Sequence, residues 1–201
     1  MRRTLLALPA ILALSLPIAA QTPEKPAANQ HQAPPQAAPD LSAKVPPPGP
    51  EDVKSIDSIM AALYGVISGP AGERDWNRFR SLFLPQAHLT SAAKGGDGVV
   101  RIHPMSVEDY VRLAGDYFAQ HSFFESPIVS RVQSFGNVSQ VFSSYESWHA
   151  AGETPFARGI NSIQLLYDGN RWWIVSILWD EERAGNPLPK EFAVKEPGGQ
   201  K

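Results

Sequence analysis

Few residues of this sequence combine a reactive side chain with a position suited to chemistry. Tyr64 lies on the apolar face of a predicted helix, where its hydroxyl could donate a hydrogen bond into a pocket or sit at the rim of the core. His88 and His103 flank a glycine-rich loop, and histidine titrates near neutral pH. If Gly95-Gly96 is the centre of that turn, the two imidazoles oppose each other as an acid–base pair or as two metal ligands. Otherwise they are surface histidines. We expect no metal site, because a third ligand is missing.

One amide lies on a strand face that is otherwise apolar. A buried amide needs a hydrogen-bond partner, so Asn161 could orient a ligand, or it could satisfy Ser143 or a backbone group. Large aromatic side chains follow on the same face and would line or plug the pocket. The residues that we predict to bind a ligand are Tyr64, Tyr145, Asn161, Ile163, Trp173 and Trp179.

Residues 154–183 predict the hairpin that positions this face. Asp168-Gly169-Asn170 tolerate the positive φ angles of a tight turn, and a three-residue loop would place Ile163 opposite Val175 and Leu165 opposite Trp173. Residues two apart share a face of a strand. The second face would then point away from the helices. Its apolar members are Trp172, Ile174 and Leu178, together with Ile160 and Leu166 of the preceding strand.

The remaining elements are segregated along the chain. Helical spacing predicts helices at about 53–67, from Asp75 to Pro85, and after a Ser106–Asp109 capping box. A strand pair is predicted at 87–104, and strands with period two at about 123–135, 138–150, 155–168 and 171–182. A turn centred on Gly152 would pair Glu146 with Arg158. This order, with helices largely before a meander of antiparallel strands, predicts an α+β fold.

The two ends of the chain predict export and a single folded domain. Residues 1–20 have the basic start, apolar run and small residues of a signal peptide, so we expect a periplasmic or extracellular protein with no stable membrane anchor after cleavage. Residues 21–50 are rich in Pro, Ala and Gln and predict a disordered tether. The domain is then 51–184, followed by a flexible tail, 185–201. The absence of cysteine excludes disulfides and thiolate sites, and the absence of a basic cluster argues against nucleic acid.

The pattern of elements resembles the nuclear transport factor 2-like superfamily, which includes SnoaL-like and ketosteroid-isomerase-like proteins. The resemblance covers about residues 53–182 and is carried by Ser81-Leu82-Phe83, Pro85, Asp168-Gly169 and Trp172-Trp173-Ile174-Val175-Ser176. It implies a cone, in which three helices pack in a strongly curved antiparallel sheet of about six strands around an apolar pocket.

The resemblance transfers only part of the isomerase chemistry to this chain. Tyr64 stands where those isomerases keep the tyrosine that stabilises the oxyanion. Ser91 stands in place of their basic aspartate, and Ile163 in place of their protonated aspartic acid. Because two of these three groups are absent, ketosteroid isomerase chemistry is not expected.

Two functions remain open at this point. With no complete catalytic set visible, we expect a small-molecule-binding or assembly module, with no cofactor and an apolar ligand. The alternative is a SnoaL-like isomerase, dehydratase or hydrolase that uses Tyr64, Asn161 and one histidine. A carboxylate or imidazole that faces inward within hydrogen-bonding reach of Tyr64 would favour the enzyme, whereas a pocket lined only by alkyl and aromatic groups would favour the module. A contiguous apolar face also predicts a homodimer, formed through Trp148, Phe156, Trp172, Ile174 and Leu178.

Overall fold

The computed structural model describes residues 40–194 of the 201-residue chain. The predicted signal peptide, most of the predicted tether and the last seven residues lie outside this range. Between residues 40 and 194, no helix has the length and apolar character needed to cross a membrane.

Six strands and four α-helices form the described part of the chain, preceded by two short 3-10 helices. The helices are α1 (Ile56–Ile67), α2 (Trp76–Ser81), α3 (Val107–Gln120) and α4 (Lys190–Ala193). The strands are β1 (Phe83–Lys94), β2 (Val100–Ser106), β3 (Phe124–Phe135), β4 (Val138–Trp148), β5 (Ala157–Tyr167) and β6 (Trp172–Glu181).

The strands form one six-stranded sheet in the order β2-β1-β6-β5-β4-β3. All neighbouring strands are antiparallel except β1 and β6, which run parallel because the chain returns across the sheet after the β3–β6 meander. The sheet is curved and does not close. The predicted α+β class is therefore confirmed, with one parallel pair that the sequence did not predict.

Side-chain caps fix where the helices begin. Ser55 caps α1 by accepting a hydrogen bond from the backbone N–H of Ser58, and Asp75 caps α2 in the same way. The predicted capping box of Ser106 and Asp109 opens α3. The apolar sides of α1, α2 and α3 pack against one face of the sheet, and the core centres on fully buried residues of both layers: Ile59, Phe79, Leu82, Phe83, Val141, Ile163 and Ile174.

A β-bulge changes the predicted register of the β5–β6 hairpin. Leu165 pairs with Ile174, whereas Ile163 pairs with Ile177, so that Val175 is the extra residue between them. Consequently, Ile174 and Ile177 both enter the core, although they are an odd number of residues apart. The predicted Ile163–Val175 and Leu165–Trp173 pairs were wrong, since an uninterrupted alternation was assumed.

The bulge also corrects the predicted outer face. Ile174 is fully buried in the core and Trp172 packs against that core, so neither belongs to an exposed apolar surface. Leu178 does remain about half exposed, at 45%, whereas Phe156, at 49%, lies on the side of the sheet that faces the helices, where it packs against Phe123.

Residues 187–194 cover part of the other face of the sheet, where a flexible tail was predicted. Phe192 is 9% exposed and packs edge-on against Phe142, with 5.4 Å between the ring centroids. The hydroxyl of Ser144 donates to the carbonyl of Phe192 at 2.7 Å. Arg158 lies opposite Glu146 as predicted, but its ion pair is with Glu182, at 3.2 Å. The chain itself therefore covers part of this surface.

Candidate functional site

A cavity of about 880 Å³ lies between the helices and the sheet. Its walls come from α1, α3, the β1–β2 hairpin and the inward faces of β3–β6. Nine aromatic side chains line it: Tyr64, Phe79, Tyr110, Tyr117, Phe118, Phe123, Tyr145, Phe156 and Trp179. Rings of this kind give a bound molecule a largely apolar surface.

Glu125 places a carboxyl group in this apolar cavity. It lies at the start of β3, opposite Ser147 of β4, and the Ser147 hydroxyl donates to its Oε2 at 2.9 Å. Burial raises the pKa of Glu125 to about 7, with a further upward contribution from the negative charge of Glu181. Hydrogen bonds from Ser147 and Asn161 lower the pKa but do not offset the burial. The carboxyl therefore exchanges its proton near neutral pH.

A hydrogen-bonded chain connects the centre of the sheet to α1 beside this carboxyl. The amide of Asn161 donates to the hydroxyl of Tyr64 at 3.2 Å, and that hydroxyl shares a hydrogen bond of 2.9 Å with Ser143. Ser143 in turn bonds Ser130 at 2.9 Å. Burial raises the pKa of Tyr64 to about 12, so this phenol stays neutral and can donate a hydrogen bond.

Two further tyrosines, Tyr110 and Tyr145, line the cavity. Tyr110 of α3 stacks on Phe79 with 5.2 Å between centroids, and Tyr145 of β4 is 4% exposed. Burial raises the pKa of both phenols, as does the nearby Glu125. Within residues 40–194, neither hydroxyl has a hydrogen-bond partner, so both are available to a bound molecule.

Four of the six predicted ligand-binding residues line the cavity: Tyr64, Tyr145, Asn161 and Trp179. Ile163 is fully buried in the core behind them. Trp173 is also fully buried, but the bulge turns it away from the cavity. Its indole N–H donates to Asp168 at 2.7 Å, and the guanidinium of Arg171 lies 3.7 Å from its ring centroid. Trp173 thus holds the β5–β6 turn.

The predicted opposition of His88 and His103 was wrong. His103 pairs with Ser91, and His88 pairs with Ser106, because the turn between β1 and β2 is centred near Asp97 rather than on Gly95-Gly96. His88 is exposed on β1, whereas His103 lines the cavity. No group of three or more His, Asp or Glu side chains in residues 40–194 could hold a metal ion.

Sequence reasoning missed Glu125. A signal was present, because Phe123 and Glu125 are two apart at the start of a strand and so share a face, and Phe123 is apolar enough to mark that face as inward. The carboxylate was overlooked since charged residues at strand ends are usually solvated. Its presence meets the condition set above for an enzyme only in part: Glu125 is an acid–base group inside the cavity, but the Tyr64 hydroxyl bonds Asn161 and Ser143 rather than this carboxyl.

No protein-family model and no curated protein sequence matches this chain. Solved structures do match it. A protein of unknown function with a cystatin-like fold from Nostoc punctiforme is 9% identical, with a TM-score of 0.50 over 64% of this chain and 90% of its own. A protein assigned as the beta subunit of an aromatic-ring-hydroxylating dioxygenase from Novosphingobium aromaticivorans is 14% identical, with a TM-score of 0.50 over 64% of this chain and 87% of its own.

Among the other matches is an NTF-2 like protein of unknown function from Silicibacter pomeroyi, 17% identical with a TM-score of 0.45, over 64% of this chain and 99% of its own. At these identities the similarity concerns the fold alone. The described part of the chain has the architecture that the resemblance implied, with helices packed against one face of a curved, unclosed six-stranded sheet.

Proposed function

We propose that the protein is an enzyme that moves a proton on a small, largely apolar molecule held in the cavity. The observation that carries this proposal is Glu125, a carboxyl group with a pKa of about 7 that lines an aromatic cavity. A group whose pKa matches the working pH is the most effective general acid or base. A module that binds only an apolar molecule would gain nothing from the free-energy cost of a buried carboxyl, which supports the enzyme over that module.

The tyrosines supply the second half of the proposed chemistry. Above pH 7, the carboxylate of Glu125 takes a proton from a carbon next to a carbonyl group of the substrate. The electron pair of the broken C–H bond moves onto the carbonyl oxygen. A neutral tyrosine hydroxyl, Tyr110 or Tyr145, donates a hydrogen bond to that oxygen, and the low local dielectric strengthens the bond.

The same residues complete the reaction without a cofactor. Protonated Glu125 returns its proton to a second carbon, which gives an isomer, or to a departing hydroxyl group, which leaves as water. Both outcomes balance, because the proton that leaves the substrate comes back to the substrate or to its leaving group. Tyr64, Asn161 and Ser143 hold the carboxyl and its surroundings in place through their hydrogen bonds.

The first step can be tested before the natural substrate is known. Ketones with an apolar ring system are incubated with the protein in deuterated water, and exchange at the carbon beside the carbonyl is followed by NMR. We expect exchange that rises with pH through about 7, and we expect Glu125→Gln to reduce it by about 100-fold or more.

Glu146→Gln is the matched control, because this glutamate lies on β4 but does not line the cavity. Its exchange rate should equal that of the unmodified protein. Catalysed exchange that persists in Glu125→Gln would assign the base to another group. If a panel that spans one to four rings shows no catalysed exchange, the binding module becomes the better description.

A further inference from the structure

The ionised groups around the cavity are unbalanced in charge. Three carboxyl side chains line it, Asp109, Glu125 and Glu181, and neither of the two glutamates forms an ion pair within residues 40–194. The cavity has one arginine, Arg112, and this side chain pairs with Asp109 at 2.8 Å, one turn away on α3. An anion in the cavity would therefore meet two negative charges and no available arginine or lysine.

The two arginines next to Glu181, one just after β6 and one on the paired strand β5, are already engaged. Arg183 forms its ion pair with Asp180 and donates to the backbone carbonyl of Glu181 rather than to the carboxylate. Arg158, which precedes Gly159, the cross-strand partner of Glu181, pairs with Glu182. Asp180 and Glu182 are therefore both paired with arginines. Glu181 lies between them, at the end of β6 that borders the cavity, and forms no ion pair within residues 40–194.

The aromatic walls are suited to the same kind of ligand. The faces of tyrosine and tryptophan rings carry partial negative charge and attract organic cations. Trp179 lies two residues before Glu181 on β6, and Tyr145 is held beside Glu125 and Glu181 closely enough for both carboxylates to raise its pKa. The two glutamates and the faces of these aromatic rings therefore line the same cavity.

We infer that the molecule taken by this cavity is an organic amine: an apolar ring system with one protonated or quaternary nitrogen, which lies near Glu125 and Glu181 while the rings pack against the aromatic walls. This inference deepens the proposed function, on which it rests, by naming the chemical class of the substrate. The positive nitrogen stabilises ionised Glu125, so binding of the cation also prepares the carboxylate to act as the base.

Three isosteric probes test this inference: 2-naphthylmethylamine, a cation at pH 7.5, 2-naphthylmethanol, which is neutral, and 2-naphthoate, an anion. Their affinities for the full chain are measured by isothermal titration calorimetry at low salt. We expect the cation to bind about tenfold or more tightly than the alcohol, and the anion to bind more weakly than both. Glu181→Gln and Glu125→Gln should each reduce the preference for the cation severalfold and leave the affinity for the alcohol unchanged.

Glu146→Gln again serves as the control and should keep the full preference. Equal or weaker binding of the cation relative to the alcohol, a preference that persists when both Glu125 and Glu181 are changed to Gln, or no binding of any probe would overturn the inference. The proposed chemistry can fail separately. A clear preference for the cation without deuterium exchange on any ketone would contradict proton transfer alone, whereas exchange without the preference would contradict the amine alone.

Discussion

At the scale of single residues, Glu125 should reduce the stability of the fold above neutral pH. Its pKa in the folded chain is about 7, against 4.5 for an ordinary glutamate. Between these two values the folded chain binds one proton more than the unfolded chain, so the free energy of unfolding falls as the pH rises. The loss is complete above pH 7 and amounts to at most about 3 kcal/mol.

The corresponding experiment compares urea unfolding of the unmodified chain and Glu125→Gln from pH 5 to pH 8.5. We expect the free energy of unfolding of Glu125→Gln to fall less with rising pH than that of the unmodified chain. The variant should therefore be the more stable of the two at pH 8.5. At pH 5 the two chains should differ little, because the carboxyl is then protonated and resembles the amide. An equal decline in both chains would mean that Glu125 is already ionised at low pH.

Tyr64 gives a second prediction at this scale. Tyr64→Phe removes the hydroxyl that accepts from Asn161 and bonds Ser143, and both partners are buried. A buried polar group left without a partner costs about 1–3 kcal/mol, although Ser143 keeps its bond to Ser130. We expect the free energy of unfolding to fall by about 1–2 kcal/mol.

The matched control for Tyr64 is Tyr167→Phe. The Tyr167 hydroxyl donates to the carbonyl of Gly169 at an exposed turn, so its removal should change the stability by less than about 0.5 kcal/mol. Similar losses in the two variants would show that the hydroxyl network of Tyr64 adds no stability of its own.

The contrast between Asn161 and Glu125 shows how far the sequence could define the site. Asn161 was found because a lone amide interrupts a long apolar face, and the register that pairs it with Ser143 was correct. Glu125 was not found, although Phe123 two residues earlier marks its face as inward, because charged residues at the ends of strands are usually solvated. The pKa that makes it interesting depends on the burial and neighbours that only the folded chain supplies.

At the scale of elements, the sequence defined the meander well and its register less well. The turns at Gly136-Asn137, Gly152 and Gly169 set the strand ends, and these glycines do adopt positive φ. The bulge at Val175 has no such signal, since isoleucine, valine and tryptophan suit either face of a strand. The bulge brings Ile174 into the core between the helices and the sheet. It turns Trp173, which is still buried, away from the predicted pocket.

Gly159 supports a prediction about close packing within the sheet. A Cβ atom there would lie 2.6 Å from the hydroxyl oxygen of Tyr145 and would also overlap the backbone carbonyl of Asp180. Gly159→Ala should therefore displace Tyr145 and the end of β6 and lower the free energy of unfolding by about 1–3 kcal/mol. Gly65→Ala on α1 is the control, because its Cβ meets nothing within 4 Å.

The control substitution should raise stability by up to about 1 kcal/mol, because alanine is the better helix former. Both variants are compared by thermal unfolding. A Gly159→Ala chain as stable as the unmodified protein would mean that β5 and β6 separate easily at this end, and the free hydroxyl of Tyr145 would then be poorly fixed for binding.

At the scale of the whole molecule, export remains a prediction from residues 1–20. The basic residues Arg2 and Arg3, the apolar run and Ala19-Ala20 predict cleavage before Gln21. Expression of the full chain in a host with a secretory pathway should release a protein whose N-terminal sequence begins at Gln21. A replacement of Leu5 and Leu6 by Lys should retain the uncleaved chain in the cell. Retention of the unmodified chain would contradict export.

The C-terminal segment bears on self-association. A sheet-to-sheet homodimer was predicted from the outer apolar face, yet residues 187–194 cover part of that face through Phe192, which packs on Phe142. A chain that ends at residue 186 would expose this surface, and contiguous exposed apolar surface promotes association. We therefore expect residues 21–186 to associate more strongly in sedimentation velocity than residues 21–201.

A chain that ends at residue 194 is the matched control, because it keeps α4 and every contact of Phe192 described above. It should sediment like the 21–201 chain, whereas Phe192→Ala in the 21–201 chain should shift part of the way toward the shorter form. Identical behaviour of all four chains would place any dimer on another surface. If residues 21–201 instead associate more strongly than residues 21–186, the segment 187–194 joins two molecules. In that case Phe192 of one molecule packs on Phe142 of another, in the same way as it packs within one chain.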